Sequence, residues 1–311
     1  MARFWSFAYF LITFLLISCS PQISPSSTAK FLPTQTITPL PQRTEVEIID
    51  PLAFPSAGIE LVGRLYLPIG EGPFPAVVMV HGSGFRTRDE SVNLATRLVD
   101  TGIAVFRYDK RGVGDSGGAY EGVSTGNSNE ILRLLAADAV NAIHFLQTFP
   151  EIDPQKIGLF GNSQAGWIMP ISAASSSDVA FAVLLVGPTV SVGIENRYSS
   201  LTREKASNTT AENLDAISLD LAEFDGQHGY DPRSFIEAIN VPALWVLGGR
   251  DASIPTRETL AILEEIKAEL LKDFDFYIYP LGTHSLANTE NGELFDFMSD
   301  IVLDWIHNIV D

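Results

Sequence analysis

Short, nearly unbroken apolar runs recur along the chain at AVVMV (76–80), GIAVFRY (102–108), KIGLFG (156–161), AFAVLLVG (180–187), VPALWVLGG (241–249) and DFDFYIYP (273–280). Most are β-branched and show no polar face, as strands covered on both sides of a parallel sheet must be. Upstream, VEIID and IELVGRLYLP alternate apolar and polar positions, which predicts an antiparallel hairpin opening the domain near Thr44. Between several runs the period lengthens. From Asn129 to Phe149, the residues Ile131, Leu134, Leu135, Ala139, Ala142, Ile143 and Leu146 share one helical face, and Leu294, Met298, Ile301 and Trp305 do so near the C-terminus. Strand signals alternating with helix signals predict an α/β fold with a mostly parallel, doubly wound sheet. Residues 189–240 break the alternation: they are polar, acidic and helix-prone, and too long for a structureless connection. A helical cap over the C-terminal ends of the strands is expected there, shaping the substrate pocket.

The N-terminal segment has a different character. Arg3 is the sole charged residue before an apolar run from Phe4 to Ile17, the layout of a secretory signal. The run is shorter than the roughly 20 residues a spanning helix needs. Leu16-Ile17-Ser18-Cys19 resembles the bacterial lipobox, so residues 1–18 are expected to be a lipoprotein signal peptide and Cys19 the site of lipid attachment. The domain would then sit outside the cytoplasm, anchored to a membrane. Residues 19–43, rich in Ser, Thr and Pro, read as a disordered tether to a domain at 44–311. Cys19 is the one cysteine, which excludes an intrachain disulfide and a CxxC redox pair. A net charge of −18, from 38 acidic and 20 basic residues, argues against nucleic acid as a partner, because binding to phosphates leans on Lys and Arg.

Candidate chemistry concentrates at strand ends. KIGLFG leads into Gly161-Asn162-Ser163-Gln164-Ala165-Gly166, a serine on a tight strand-to-helix turn that would hold its hydroxyl above the sheet. Ala165 stands where GxSxG has its second glycine. His81-Gly82-Ser83-Gly84 follows AVVMV, placing the backbone N–H groups of Ser83 or Gly84, with that of Gln164, as candidates for an oxyanion hole. A serine needs a base and the base needs an orienting carboxylate. Of five histidines, His284 lies just past the DFDFYIYP strand, whereas His144, His228 and His307 fall in helical or cap segments and His81 is expected to orient its loop. Asp251 ends the VPALWVLGGRD run. The order Ser163, Asp251, His284, each at a strand end, makes a triad far more specific than any one residue. Gly112 to Gly117 fits GxGxxG, but a lone match after a later strand, running on into more glycine, is weak support for a nucleotide site.

The chain resembles the α/β-hydrolase superfamily over residues 45–310. The resemblance rests on Val80-His81-Gly82-Ser83-Gly84, on Tyr108-Asp109-Lys110-Arg111-Gly112-Val113-Gly114-Asp115-Ser116, on the serine elbow, on Leu247-Gly248-Gly249-Arg250-Asp251 with Ile254-Pro255, and on Tyr279-Pro280 before His284. Within it, the chain looks like bacterial esterases and serine aminopeptidase-like proteins near the prolyl oligopeptidase and dienelactone hydrolase branches. Such relatives imply hydrolysis of esters, thioesters or short peptides through an acyl-enzyme, without cofactor or metal, and a structural role for the turn after Arg111. A carboxylesterase is the first expectation. A peptidase is the alternative, with Glu223, Asp225 and Asp231 as candidates to hold an α-amino group, against the default that they form a solvated face. A non-catalytic, surface-anchored ligand-binding protein is the second alternative.

Overall fold

The computed structural model describes residues 44–204 and 211–311. The predicted signal peptide, Cys19 and the tether lie outside the described residues. Among the described residues no helix is long and apolar enough to cross a membrane.

In chain order the elements are β1 (Glu47–Ser56), β2 (Ile59–Leu67), β3 (Phe74–Val80), α1 (Val92–Val99), β4 (Ala104–Tyr108), α2 (Ser128–Leu146), β5 (Ile152–Asn162), α3 (Ala165–Ser175), β6 (Ala182–Leu185), α4 (Val192–Glu204), α5 (Ala211–Ala222), α6 (Arg233–Ala238), β7 (Ala243–Gly248), α7 (Thr256–Leu270), β8 (Phe274–Tyr279) and α8 (Leu303–Val310), the last preceded by a π-helical turn at Met298–Val302. The strands make an eight-stranded sheet in the order β1-β2-β4-β3-β5-β6-β7-β8. The β1–β2 and β2–β4 pairs are antiparallel and all later pairs parallel. The hairpin closes on Ala57 and Gly58, both at positive φ, a two-residue turn whose twist matches that of the strands it joins.

The period of two along each strand divides the core. On β3, Val78 and Val80 face a cluster built with α2, α3 and α7, while Val77 and Met79 face one built with α1 and the C-terminal helix. The expected insertion forms α4, α5 and α6 between β6 and β7, with its own small cluster of Tyr198, Leu201, Leu214, Ile217 and Leu221.

The C-terminal helix departs from the predicted face. Met298 is buried as expected, but Leu294 is 71% exposed, and Val302, Ile306 and Val310 complete the buried stripe. The π-helical turn widens the local repeat, so residues four apart stay in line where a regular helix would alternate threes and fours.

Candidate active site

The elbow is built by crowding. A Cβ at Gly161 would come within 2.5 Å of the Ala165 Cβ and 2.8 Å of the Val80 carbonyl, and one at Gly166 within 2.6 Å of the Gly187 Cα. The chain can turn between β5 and α3 only with bare backbone at both positions, and Ser163 takes up the bend at φ 54°. Its N–H is fixed to the Leu185 carbonyl of β6 at 2.9 Å. The glycine missing from the pattern at Ala165 is thus replaced in function by Gly166, which makes the close approach. Trp167 is a packing residue, its indole N–H bonded to the Val190 carbonyl at 2.8 Å.

The loops after β7 and β8 bring the other two groups to Ser163. His284 Nε2 lies 3.0 Å from Ser163 Oγ and His284 Nδ1 lies 2.8 Å from Asp251 Oδ2. Asp251 is 2% exposed, and its Oδ1 accepts the N–H groups of Ser253 (2.7 Å) and Ile254 (2.9 Å). The free oxygen of the carboxylate is thereby committed, leaving Oδ2 to face the imidazole. Burial disfavours the charged form of His284, but the hydrogen bond and charge of Asp251, with the charge of Glu195, outweigh it and hold the pKa above its ordinary value. The cap braces the acid: Tyr198 donates to the Asp251 carbonyl at 2.6 Å and Thr202 to that of Ala252 at 2.6 Å.

On the other side of the elbow, the His81–Gly84 loop abuts Asn162, whose carbonyl lies 3.3 Å from where a Gly82 Cβ would be. Burial drives the His81 pKa down to about 4, so the ring is neutral and Nε2 donates to the Tyr108 carbonyl. Ser83 lines the cleft; Gly84, at φ 93°, does not, and its missing Cβ points at the Arg86 side chain.

Sequence reasoning missed Lys110. It stands there only within the run Tyr108 to Ser116, with no role of its own, yet it is 1% exposed beneath the site. Its ammonium donates to the carbonyls of Gly82 (2.8 Å) and Gly84 (3.3 Å) and to Gln164 Oε1 (2.9 Å), and lies 4.2 Å from the centre of the Tyr120 ring. Burial, with the charge of Arg86, pulls its pKa down to about 7.

The glycine-rich run 112–117 is a folded turn rather than a phosphate cradle. The N–H groups of Gly112, Val113, Asp115, Ser116 and Gly117 all donate within the protein, and the next helix begins only at Ser128. The turn is tied down by the buried Arg111–Asp138 pair at 2.7 and 2.8 Å.

A cleft of about 540 Å³ opens on Ser163 and His284, lined also by Ser83, Glu195, Leu185 and Phe160. Glu223, Asp225 and Asp231, the candidates of the peptidase alternative, are exposed and away from the lining, in keeping with the default of a solvated face, and the lining takes Glu195 of α4. Of the remaining histidines, His144 pairs with Asp178 at 3.0 Å and His228 with Ser191 at 3.0 Å, both away from Ser163.

Two known families match overlapping parts of the chain: the BAAT / acyl-CoA thioester hydrolase C-terminal family over residues 140–288, and the X-Pro dipeptidyl-peptidase (S15) family over residues 57–199. Esterase EstD of Thermotoga maritima is 26% identical over 72% of this chain and 59% of its own length. Human dipeptidyl peptidase 8 is 25% identical over 83% of this chain but only 28% of its own length. The acetyl xylan esterase of Paenibacillus sp. R4 superposes with a TM-score of 0.60 at 17% identity, covering 87% of this chain and 90% of that one. The chain belongs to the α/β-hydrolase superfamily. As an α/β-hydrolase it spans 59% of the length of EstD.

Proposed function

We propose that this α/β-hydrolase is a serine hydrolase cleaving a carboxylic ester. The observation carrying the reading is the line of hydrogen bonds from Ser163 through His284 to Asp251, at 3.0 and 2.8 Å. Ser163 Oγ attacks the carbonyl carbon while His284 Nε2 takes the hydroxyl proton, and Asp251 holds the imidazole in the tautomer that leaves Nε2 free to do so. The N–H groups of Gln164 and Ser83 receive the charge that develops on the carbonyl oxygen. His284 returns its proton to the departing alcohol, leaving an acyl-Ser163 ester. Water, deprotonated by the same imidazole, then releases the acid.

A peptidase reading draws on the S15 match and on Glu195, a carboxylate that lines the cleft. For location, the signal-like run and Leu16-Ile17-Ser18-Cys19 support a lipoprotein held outside the cytoplasm through Cys19.

The test is fluorophosphonate labelling of the full chain alongside Ser163→Ala and His284→Ala, followed by turnover of p-nitrophenyl esters and aminoacyl-p-nitroanilides. Labelling that disappears in Ser163→Ala supports the nucleophile, and faster ester turnover supports the esterase. Anilide preference favours the peptidase. A folded wild type that takes no label overturns the enzyme reading.

A further inference from the structure

Arg107 is the penultimate residue of β4, between Phe106 and Tyr108 in an otherwise apolar strand, and it is 2% exposed. Among the described residues neither its Nε nor its Nη1 has a hydrogen-bond partner. A guanidinium with two nitrogens unanswered in a buried site is costly, and proteins retain such a group where something else completes it. Its surroundings do not neutralise it. Burial pulls its pKa down, the Tyr66 hydroxyl offsets this in part, and Arg64 repels it; the carboxylate of Asp89, whose field it feels, is itself bonded to Arg64 at 2.9 Å.

What Arg107 does face is the cleft, whose wall it shares with Ser163. The register locates it: Arg107 pairs with Met79 of β3 and Met79 with Phe160 of β5, so the three stand in one row across the sheet. Ser163 lies three residues past Phe160, putting the nucleophile about 10 Å across and about 10 Å along from the Arg107 backbone at ordinary strand spacings. Between them the floor is apolar, made by Met79, Phe160 and Leu94. Sidedness follows from the proton path. His284 must deliver its proton to the leaving group, so the leaving group occupies the β8 side and the acyl part extends the other way, over β3 and β4. The carboxylate of Glu90, in the wall, is paired with Arg86 at 2.9 Å.

We propose that the β4 end of the cleft is a carboxylate-binding subsite, in which Arg107 holds an acid group at the far end of the substrate's acyl chain. The assignment rests on the hydrolytic reading above and narrows it to hemi-esters of dicarboxylic acids whose two carbonyls are separated by an apolar linker of several atoms. A guanidinium matches the two oxygens of a carboxylate better than any other side chain, and the apolar floor suits the linker.

Two measurements on the full chain test it. In turnover, wild type prefers mono-p-nitrophenyl adipate to p-nitrophenyl hexanoate, and the ratio of their kcat/KM values falls about 10²-fold in Arg107→Met and is partly restored in Arg107→Lys. A ratio unchanged by Arg107→Met overturns the subsite. In calorimetry, adipate binds the Ser163→Ala protein and not the Ser163→Ala/Arg107→Met protein; equal binding to both, or none to either, overturns it. If wild type turns over neither ester the hydrolytic reading falls, while calorimetry still decides the subsite. Folding is controlled by the melting temperature without ligand, which Arg107→Met raises by removing an uncompensated charge; a lower one marks a structural partner for Arg107 and counts against the proposal.

Discussion

The ammonium of Lys110 lies 2.9 Å from Oε1 of Gln164, the residue that follows Ser163. The same nitrogen holds the carbonyls of Gly82 and Gly84, so one buried cation ties the His81–Gly84 loop to the start of α3. The two N–H groups proposed for the oxyanion come from those two segments, which Lys110 holds together.

Replacing Lys110 with Met is therefore expected to lower kcat by about 10²-fold, the scale of a misplacement of 1 Å at a reacting centre. KM for a small neutral ester stays near that of wild type, because Lys110 does not line the cleft. Steady-state kinetics on p-nitrophenyl butyrate checks this; a change confined to KM contradicts it.

His284 can take a proton from Ser163 only when neutral. Its pKa lies above the ordinary 6.5, so kcat/KM is expected to fall as pH drops through a value above 6.5. Glu195 is one cause of that elevation, and Glu195→Gln moves the acidic limb to lower pH. A pH–rate profile of the two proteins decides it, and a limb that stays put or moves upward removes Glu195 from the account.

The Arg111–Asp138 pair is buried on both sides, and Asp138 also accepts the Ser56 hydroxyl at 2.5 Å. Asp138→Ala strands a guanidinium in the core and is expected to cost about 3–5 kcal/mol, read by denaturant unfolding.

At the elbow, Ala165→Gly and Gly166→Ala separate permissive from obligatory glycine. Ala165→Gly costs about 1 kcal/mol in helix propensity and leaves ester turnover within a few fold. A methyl at position 166 meets the Gly187 backbone at 2.6 Å, and Gly166→Ala yields little folded protein. Thermal melts and turnover of both variants check the pair.

Much of the molecule was legible in the sequence because a strand buried on both faces leaves an unmistakable apolar run, and β3 to β7 each lie within or overlap one, while β8, with Asp275 and Tyr277 exposed, is marked by its aromatic residues. Ser163, Asp251 and His284, which the structure brings within hydrogen-bond distance of one another, could be singled out for a related reason: each sits where such a run stops, and their chain order limits the pairings. What escaped notice was polar chemistry carried inside those elements. Lys110 takes no role of its own in a reading of the run Asp109-Lys110-Arg111, because sequence does not reveal that Gln164 and Tyr120 close over it. Arg107 is hidden in a strand whose neighbours satisfy the apolar pattern. The C-terminal stripe slipped by one position after Met298 because a π-helical turn has no compositional mark, and Glu195 is one acid among many in a segment whose facing side is set by Tyr198 and Thr202 docking on the acid loop.

The histidine of the site hangs from β8, which pairs with β7 on one side and ends the sheet on the other. Partial opening of a protein costs less than complete unfolding and starts where support is thinnest. A frayed β8 carries His284 away while Ser163, on the central strand β5, keeps its place. Mild heat or urea should silence this protein while its circular dichroism is still native, and the silenced form should recover on cooling without refolding its core.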